Sequence, residues 1–181
     1  MMSQALKNVR NDLIKVTVMS VVSGYLSGKN LMDQDFQLNI AYTVAGFAVY
    51  DLVVAKYVAK GNFGEHKAMV ENLAKVATML VFVRLAKSQS FEALTDEKWL
   101  TTSAITLAGF AVYHLVTKKM FNTSDRKGDW KQISDDWISF GTMMMVSHYL
   151  SGGDITDRNF LQRSTNTILG YNMGSIADYA K

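Results

Sequence analysis

Thr43–Val53 reads TVAGFAVYDLV, and Thr106–Val116 reads TLAGFAVYHLV. Nine of these eleven positions are identical, and the one non-conservative change sets Asp51 against His114. An apolar stretch of this length, written twice at an interval of 63 residues, points to a repeated supersecondary unit. A second interval, 124 residues, lays Met19–Gly28 (MSVVSGYLSG) on Met143–Gly152 (MMMVSHYLSG). Continued without a gap, it pairs Asp33 with Asp157, Phe36 with Phe160, Gly46 with Gly170 and Phe47 with Tyr171. Thr167–Tyr171 (TILGY) is therefore a third, worn copy of the opening stretch.

These intervals divide the chain of 181 residues into three copies, 3–60, 65–122 and 129–181, within one domain spanning 1–181. Each copy holds two apolar stretches. The first stretches cover 4–27, 66–87 and 130–151; the second cover 36–59, 97–121 and 158–180. The connectors inside the copies are short and polar, and the middle one, 87–98, is longer by three residues. Gly28, Gly152 and Gly153 are expected to stop the first helices. Asp33 or Asp35, Thr95 or Asp96, and Asp154 or Asp157 are expected to cap the second ones. The chain has no proline, so nothing in it forces a helix break. The fold expected is all-α: six uninterrupted helices forming three repeated αα-hairpins.

Charge placement favours a membrane. Lys7, Arg10, Lys56, Lys60, Lys67, Lys118, Lys119, Arg126, Lys127, Lys131 and Lys181 lie near the termini or the loops between hairpins. Lys29, Lys87, Lys98, Arg158 and Arg163 lie near the loops inside them. Eleven against five is the bias of a polytopic protein whose termini face the cytoplasm. Residues 38–58 are long enough to cross a hydrocarbon core of ~30 Å. The segments 16–26, 76–83 and 140–146 are apolar nearly all round, as in a lipid-embedded helix. Trp99, Trp130, Trp137, Tyr25 and Tyr149 suit interfacial belts. Lys15, Lys75, Arg84 and Asp51 run against this pattern, and snorkelling to an interface is the expected accommodation. Asn122-Thr-Ser124 is a formal glycosylation acceptor, expected to stay unmodified on the cytoplasmic side. No cleavable leader is legible at the N-terminus.

Several chemistries are excluded or weak. There is no cysteine, hence no disulfide and no thiolate site. A net charge of +3 without a Lys/Arg cluster is not a nucleic-acid footprint. Asp51, His114 and Ser175 share one repeat position, but no nucleophile elbow or oxyanion hole accompanies them, so the expectation is a polar cluster and no enzyme, with a proton or ion path as the alternative. The three either share hydrogen bonds with one another or each meet a local partner, such as Lys56 or Lys118 one turn on. His114 and His148 fall short of a haem ligand set and read as packed histidines; His66 falls in a loop. Asp135 and Asp136 read as a cap or solvated turn. No metal, cofactor or small-molecule substrate is expected. Gly24, Gly28, Gly46, Gly109, Gly170 and Gly174 are read as close-packing positions, Gly170 and Gly174 forming a GxxxG.

The stretches AGFAVYDLV (45–53) and AGFAVYHLV (108–116), in a small multi-span chain without proline or catalytic motif, resemble the minor membrane and capsid-associated proteins of large nucleocytoplasmic DNA viruses. The resemblance is one of overall style and carries over no functional residue. It implies a structural role in a virion's inner membrane, with lipid and other membrane or capsid proteins as partners. Three other roles fit the same pattern: a small transporter or channel, an accessory subunit of a membrane complex, and a soluble helical-repeat interaction protein. Unbroken second helices count against transport.

Overall fold

A computed structural model of the chain describes residues 3–121 and 129–179. The described residues are all-α, with no strand among them. Six long helices follow one another: α1 Gln4–Leu26, α2 Gln34–Val58, α3 Lys67–Ser88, α4 Glu97–Met120, α5 Asp129–Leu150 and α6 Arg158–Tyr179. Their bounds fall within two residues of the expected ones. Single 3₁₀ turns, Gly64–His66 and Phe91–Thr95, lead into α3 and α4; the first contains His66. The Asn122 acceptor, Arg126, Lys127 and Lys181 lie outside the described residues.

The helix ends follow from local chemistry. After α1, Gly28 turns left-handed at φ +69°, its N–H bonding to Tyr25 O while Lys29 N–H bonds to Gly24 O. After α5, Gly152 does the same at φ +78°, with bonds to Tyr149 O and, from Gly153, to His148 O. Both are the paired closures that a glycine at this position allows. Gln89 takes the left-handed conformation after α3. Asp33, Asp96 and Asp157 begin α2, α4 and α6: their Oδ1 atoms accept from Asp35 N–H, Trp99 N–H and both Asn159 and Phe160 N–H, respectively.

Two of the expected uninterrupted helices contain a wide turn. In α2, Tyr50–Val54 is π-helical, and Ala55 N–H reaches back five residues to Tyr50 O. In α4, Tyr113–Thr117 is π-helical, and Lys118 N–H reaches back to Tyr113 O. Both turns start at the tyrosine of the duplicated stretch, one residue before Asp51 and His114. Such a turn accommodates one residue more than an α-turn, and no proline is needed to make it.

The residues form two compact units, Met1–Leu13 with Met32–Ala104, and Ile14–Leu31 with Ile105–Lys181. In the first unit α2 packs on α3. A Cβ on Gly46 would stand 2.8 Å from Met79 Cα, so the backbones meet at the glycine. In the second unit a Cβ on Gly109 of α4 would stand 2.8 Å from Met143 O of α5. There too, Gly170 and Gly174 of α6 would place a Cβ 2.5 Å from Met19 O and 2.7 Å from Lys15 O of α1. Gly46, Gly109 and Gly170 occupy one position of the intervals 63 and 124, and each meets a methionine backbone. Each of these contacts joins a second helix to the first helix of another hairpin. The second unit is completed by Phe140 of α5, which packs against Phe110 of α4 and Tyr171 of α6, and by Ser23 of α1 against Thr167 of α6.

Among the described residues, only α2 and α4 are long and apolar enough to cross a membrane. The six apolar helices read from the sequence thus reduce to two by length and composition. Asp12 and Lys15 interrupt α1, Lys75 and Arg84 interrupt α3, and α6 carries Arg163, Asn166 and Asn172.

Candidate functional site

The expected glycine positions divide by role. Gly46, Gly109, Gly170 and Gly174 are close-packing positions, and Gly24 is buried in α1. Gly28 has open space around it and serves the turn instead. Its expected packing role is therefore corrected: the positive φ, not a neighbouring backbone, requires glycine there.

Asp51, His114 and Ser175 have separate surroundings. Asp51 is buried in α2, and its Oδ1 lies 3.6 Å from Lys75 Nζ of α3. The same ammonium lies 2.6 Å from Asp12 Oδ2 of α1. Lys75 is thus shared by two carboxylates, and it also sits 5.5 Å and 5.9 Å from the ring centroids of Phe47 and Tyr50. The partner expected for Asp51, Lys56, is replaced by Lys75, a residue on another helix. Lys75 pairs inside the protein rather than snorkelling. Arg84 behaves likewise, donating to Ala93 O and lying 3.8 Å from Asp96 Oδ2.

Ser175, at 1 % exposure the most enclosed of the three, donates to Asp136 Oδ2 at 3.1 Å. The expectation of a cap or solvated turn at Asp136 is corrected by this contact: Asp136 is 5 % exposed and sits within α5. The His114 ring packs edge-on to Tyr113, and its buried Nε2 has no hydrogen-bond partner. Lys118 lies near that ring without bonding to it. His148 stacks on Phe160, centroids 3.9 Å apart, and its Nε2 meets Asp154 O at 3.1 Å. It closes the α5–α6 loop, as expected of a packed histidine. His66 lies 3.5 Å from Glu65 in an exposed turn.

No group of three or more metal-ligating side chains occurs among the described residues. The candidate site is therefore the Asp12–Lys75–Asp51 cluster beside the wide turn of α2. Sequence reasoning had Asp51 but missed Asp12 and the wide turn. One signal was available: the interval of 124 lays Asp12 on Asp136 as well as Asp51 on Ser175, so two equivalent helix pairs each juxtapose the same two positions. No protein-family model matches the chain, and no curated protein or solved structure matches it either.

Proposed function

We propose that this chain is an integral membrane protein with a structural role, built from three copies of one αα-hairpin. In this reading α2 and α4 span the bilayer and the other helices insert beside them. The termini and the loops between hairpins face the cytoplasm, where their basic residues hold a partner protein. A virion inner membrane and a capsid-type partner are the setting that the sequence resemblance suggests.

One observation carries the reading. In the most apolar window of α2 and of α4, only 17 % is buried inside the protein. A core helix of a water-soluble domain hides most of its apolar residues; these two bury few of theirs fully, and water is a poor solvent for the rest. The exposed apolar residues also recur in step. Leu52, Leu115 and Ile176 are 40 %, 44 % and 50 % exposed at one position of the second helices. Val21, Val81 and Met145 are 38 %, 38 % and 48 % exposed at one position of the first helices. Exposed apolar residues recurring at these two positions in all three copies suit a lipid solvent better than water. Tyr25 and Tyr149, exposed at the ends of α1 and α5, suit an interface.

Membranes from cells expressing the full chain, washed with alkaline carbonate, test this reading. Retention in the pellet is expected. Release into the supernatant would favour the soluble interaction protein instead.

A further inference from the structure

The Asp12–Lys75–Asp51 cluster presents two carboxyls to one ammonium. Asp51 has a side chain only 3 % exposed. Its Oδ1 faces Lys75 Nζ, while its Oδ2 is buried and accepts no hydrogen bond. The two carboxyls meet on that one ammonium, Asp12 Oδ2 at 2.6 Å and Asp51 Oδ1 at 3.6 Å, and the buried Asp12 Oδ2 likewise has no hydrogen-bond partner. The titratable and charged groups around the pair are Asp12 from α1, Lys75 from α3, and Tyr50 from α2 itself, with Glu71 of α3 beside Tyr50. With both aspartates ionised, the trio carries a net charge of −1, and a buried carboxylate shares one ammonium with a half-buried one. Like charges so placed cannot both ionise without a large penalty. Lys75 contacts both acids but carries a single positive charge, so it cannot neutralise both.

The chain itself shows what a balanced version looks like. At the interval of 124, Asp12 corresponds to Asp136 and Asp51 to Ser175. There a hydroxyl donates to an aspartate: Ser175 Oγ to Asp136 Oδ2 at 3.1 Å. The third copy has its donor built in as serine. In the first copy an O–H exists at this position only if Asp51 is protonated.

We propose that Asp12 and Asp51 form a proton-binding site: the pair holds one proton, carried on the buried and unpartnered Asp51 Oδ2, with Lys75 as the counter-charge of the carboxylate that remains. Binding converts the Asp51 carboxylate and one proton from water into a neutral acid; no other bond forms or breaks. The trio then carries no net charge, and the buried oxygen has a hydrogen to donate. This inference rests on the packing around Asp51 and not on membrane insertion.

Infrared spectroscopy of the purified full chain, followed from neutral to mildly acidic pH, tests it, in micelles or in plain buffer according to where the protein partitions. A carbonyl stretch from a protonated carboxyl is expected in the unmodified protein. It should be lost in Asp51→Ser, which copies the third hairpin, and in Asp51→Asn, and kept in Asp136→Asn and in the exposed control Glu92→Gln. Absence of the band from the unmodified protein overturns the proposal without any variant. So does a band that survives both Asp51 changes but disappears with Asp136→Asn. The unmodified protein is measured in choline chloride and again in sodium chloride. A band removed by sodium at constant pH would assign the site to a metal cation instead, and one indifferent to sodium supports the proton.

Discussion

Gly109 and Gly141 are both helical glycines of the second compact unit, and alanine should act on them with opposite sign. A Cβ at Gly109 would lie 2.8 Å from Met143 O, 2.9 Å from Met143 Cα and 3.1 Å from Ser147 Oγ. The first two atoms are helix backbone, which cannot rotate away as a side chain can. Reaching ordinary contact needs α4 and α5 to separate by roughly half an ångström or more, which loosens the Phe110–Phe140 contact as well. Overpacking of this kind costs about 1–3 kcal/mol, against a gain of about 1 kcal/mol from replacing glycine by alanine in a helix. The net expectation for Gly109→Ala is a loss of up to ~2 kcal/mol, and a larger loss for Gly109→Leu. At Gly141 of α5 a Cβ meets nothing within 4 Å, so only the helix term remains. Gly141→Ala should stabilise by just under ~1 kcal/mol. Unfolding of the two variants followed by circular dichroism, in one solvent and side by side, reads the difference. Equal stabilisation of both would refute the close approach of α4 and α5.

Ser175→Ala should cost about 1.5–3 kcal/mol, since it takes a hydrogen-bond donor from the buried Asp136 carboxylate; an unchanged unfolding midpoint would show that the bond contributes nothing. His114→Phe should leave stability the same or higher, because the buried Nε2 it removes has no partner, and a loss above ~2 kcal/mol would mean that the imidazole is satisfied after all. A glycosylation acceptor engineered into the 151–157 loop should be modified in microsomes while Asn122 is not; the reverse pattern would invert the orientation. In that same loop the hydrogen bonds from Thr156 O–H and N–H hold the Asp154 carboxyl below its ordinary range. A carboxyl lowered on folding favours the folded loop at pH above that range, and the effect disappears as pH falls through its own lowered titration. Thr156→Val should move the Asp154 titration upward by carbon-detected NMR, and an unmoved titration would show that the hydroxyl bond plays no part.

Much of the fold was legible because its determinants are local. Helix ends were set by Gly28, Gly152, Asp33, Asp96 and Asp157, whose hydrogen bonds reach only a few residues. The glycines that touch backbone were legible for a related reason: at Gly46, Gly109 and Gly170 the same small residue recurs at one repeat position. The wide turns were not, since their five-residue hydrogen bonds involve ordinary residues such as Tyr50 and Tyr113. Nor was the Lys75 bridge, because it depends on which helices become neighbours. Asp136 was misjudged for the same reason: two adjacent aspartates look like a solvated turn until a serine 39 residues later covers one of them.

The division of α1 between two compact units also bears on how the protein is made. Residues up to Leu13 belong with the segment 32–104, whereas Ile14 onward belongs with a segment that begins at 105. The hydroxyl contact between Ser23 and Thr167 joins residues 144 apart in the chain. On the ribosome, the second half of the first helix is therefore finished long before Gly170 and Gly174 emerge to meet it. Until then it has to be sheltered, by lipid or by a chaperone, and such distant closure makes for slow folding. A chain released before α6 is complete leaves the earliest helix without its final neighbour, so quality control at the C-terminus becomes, in effect, inspection of the N-terminus.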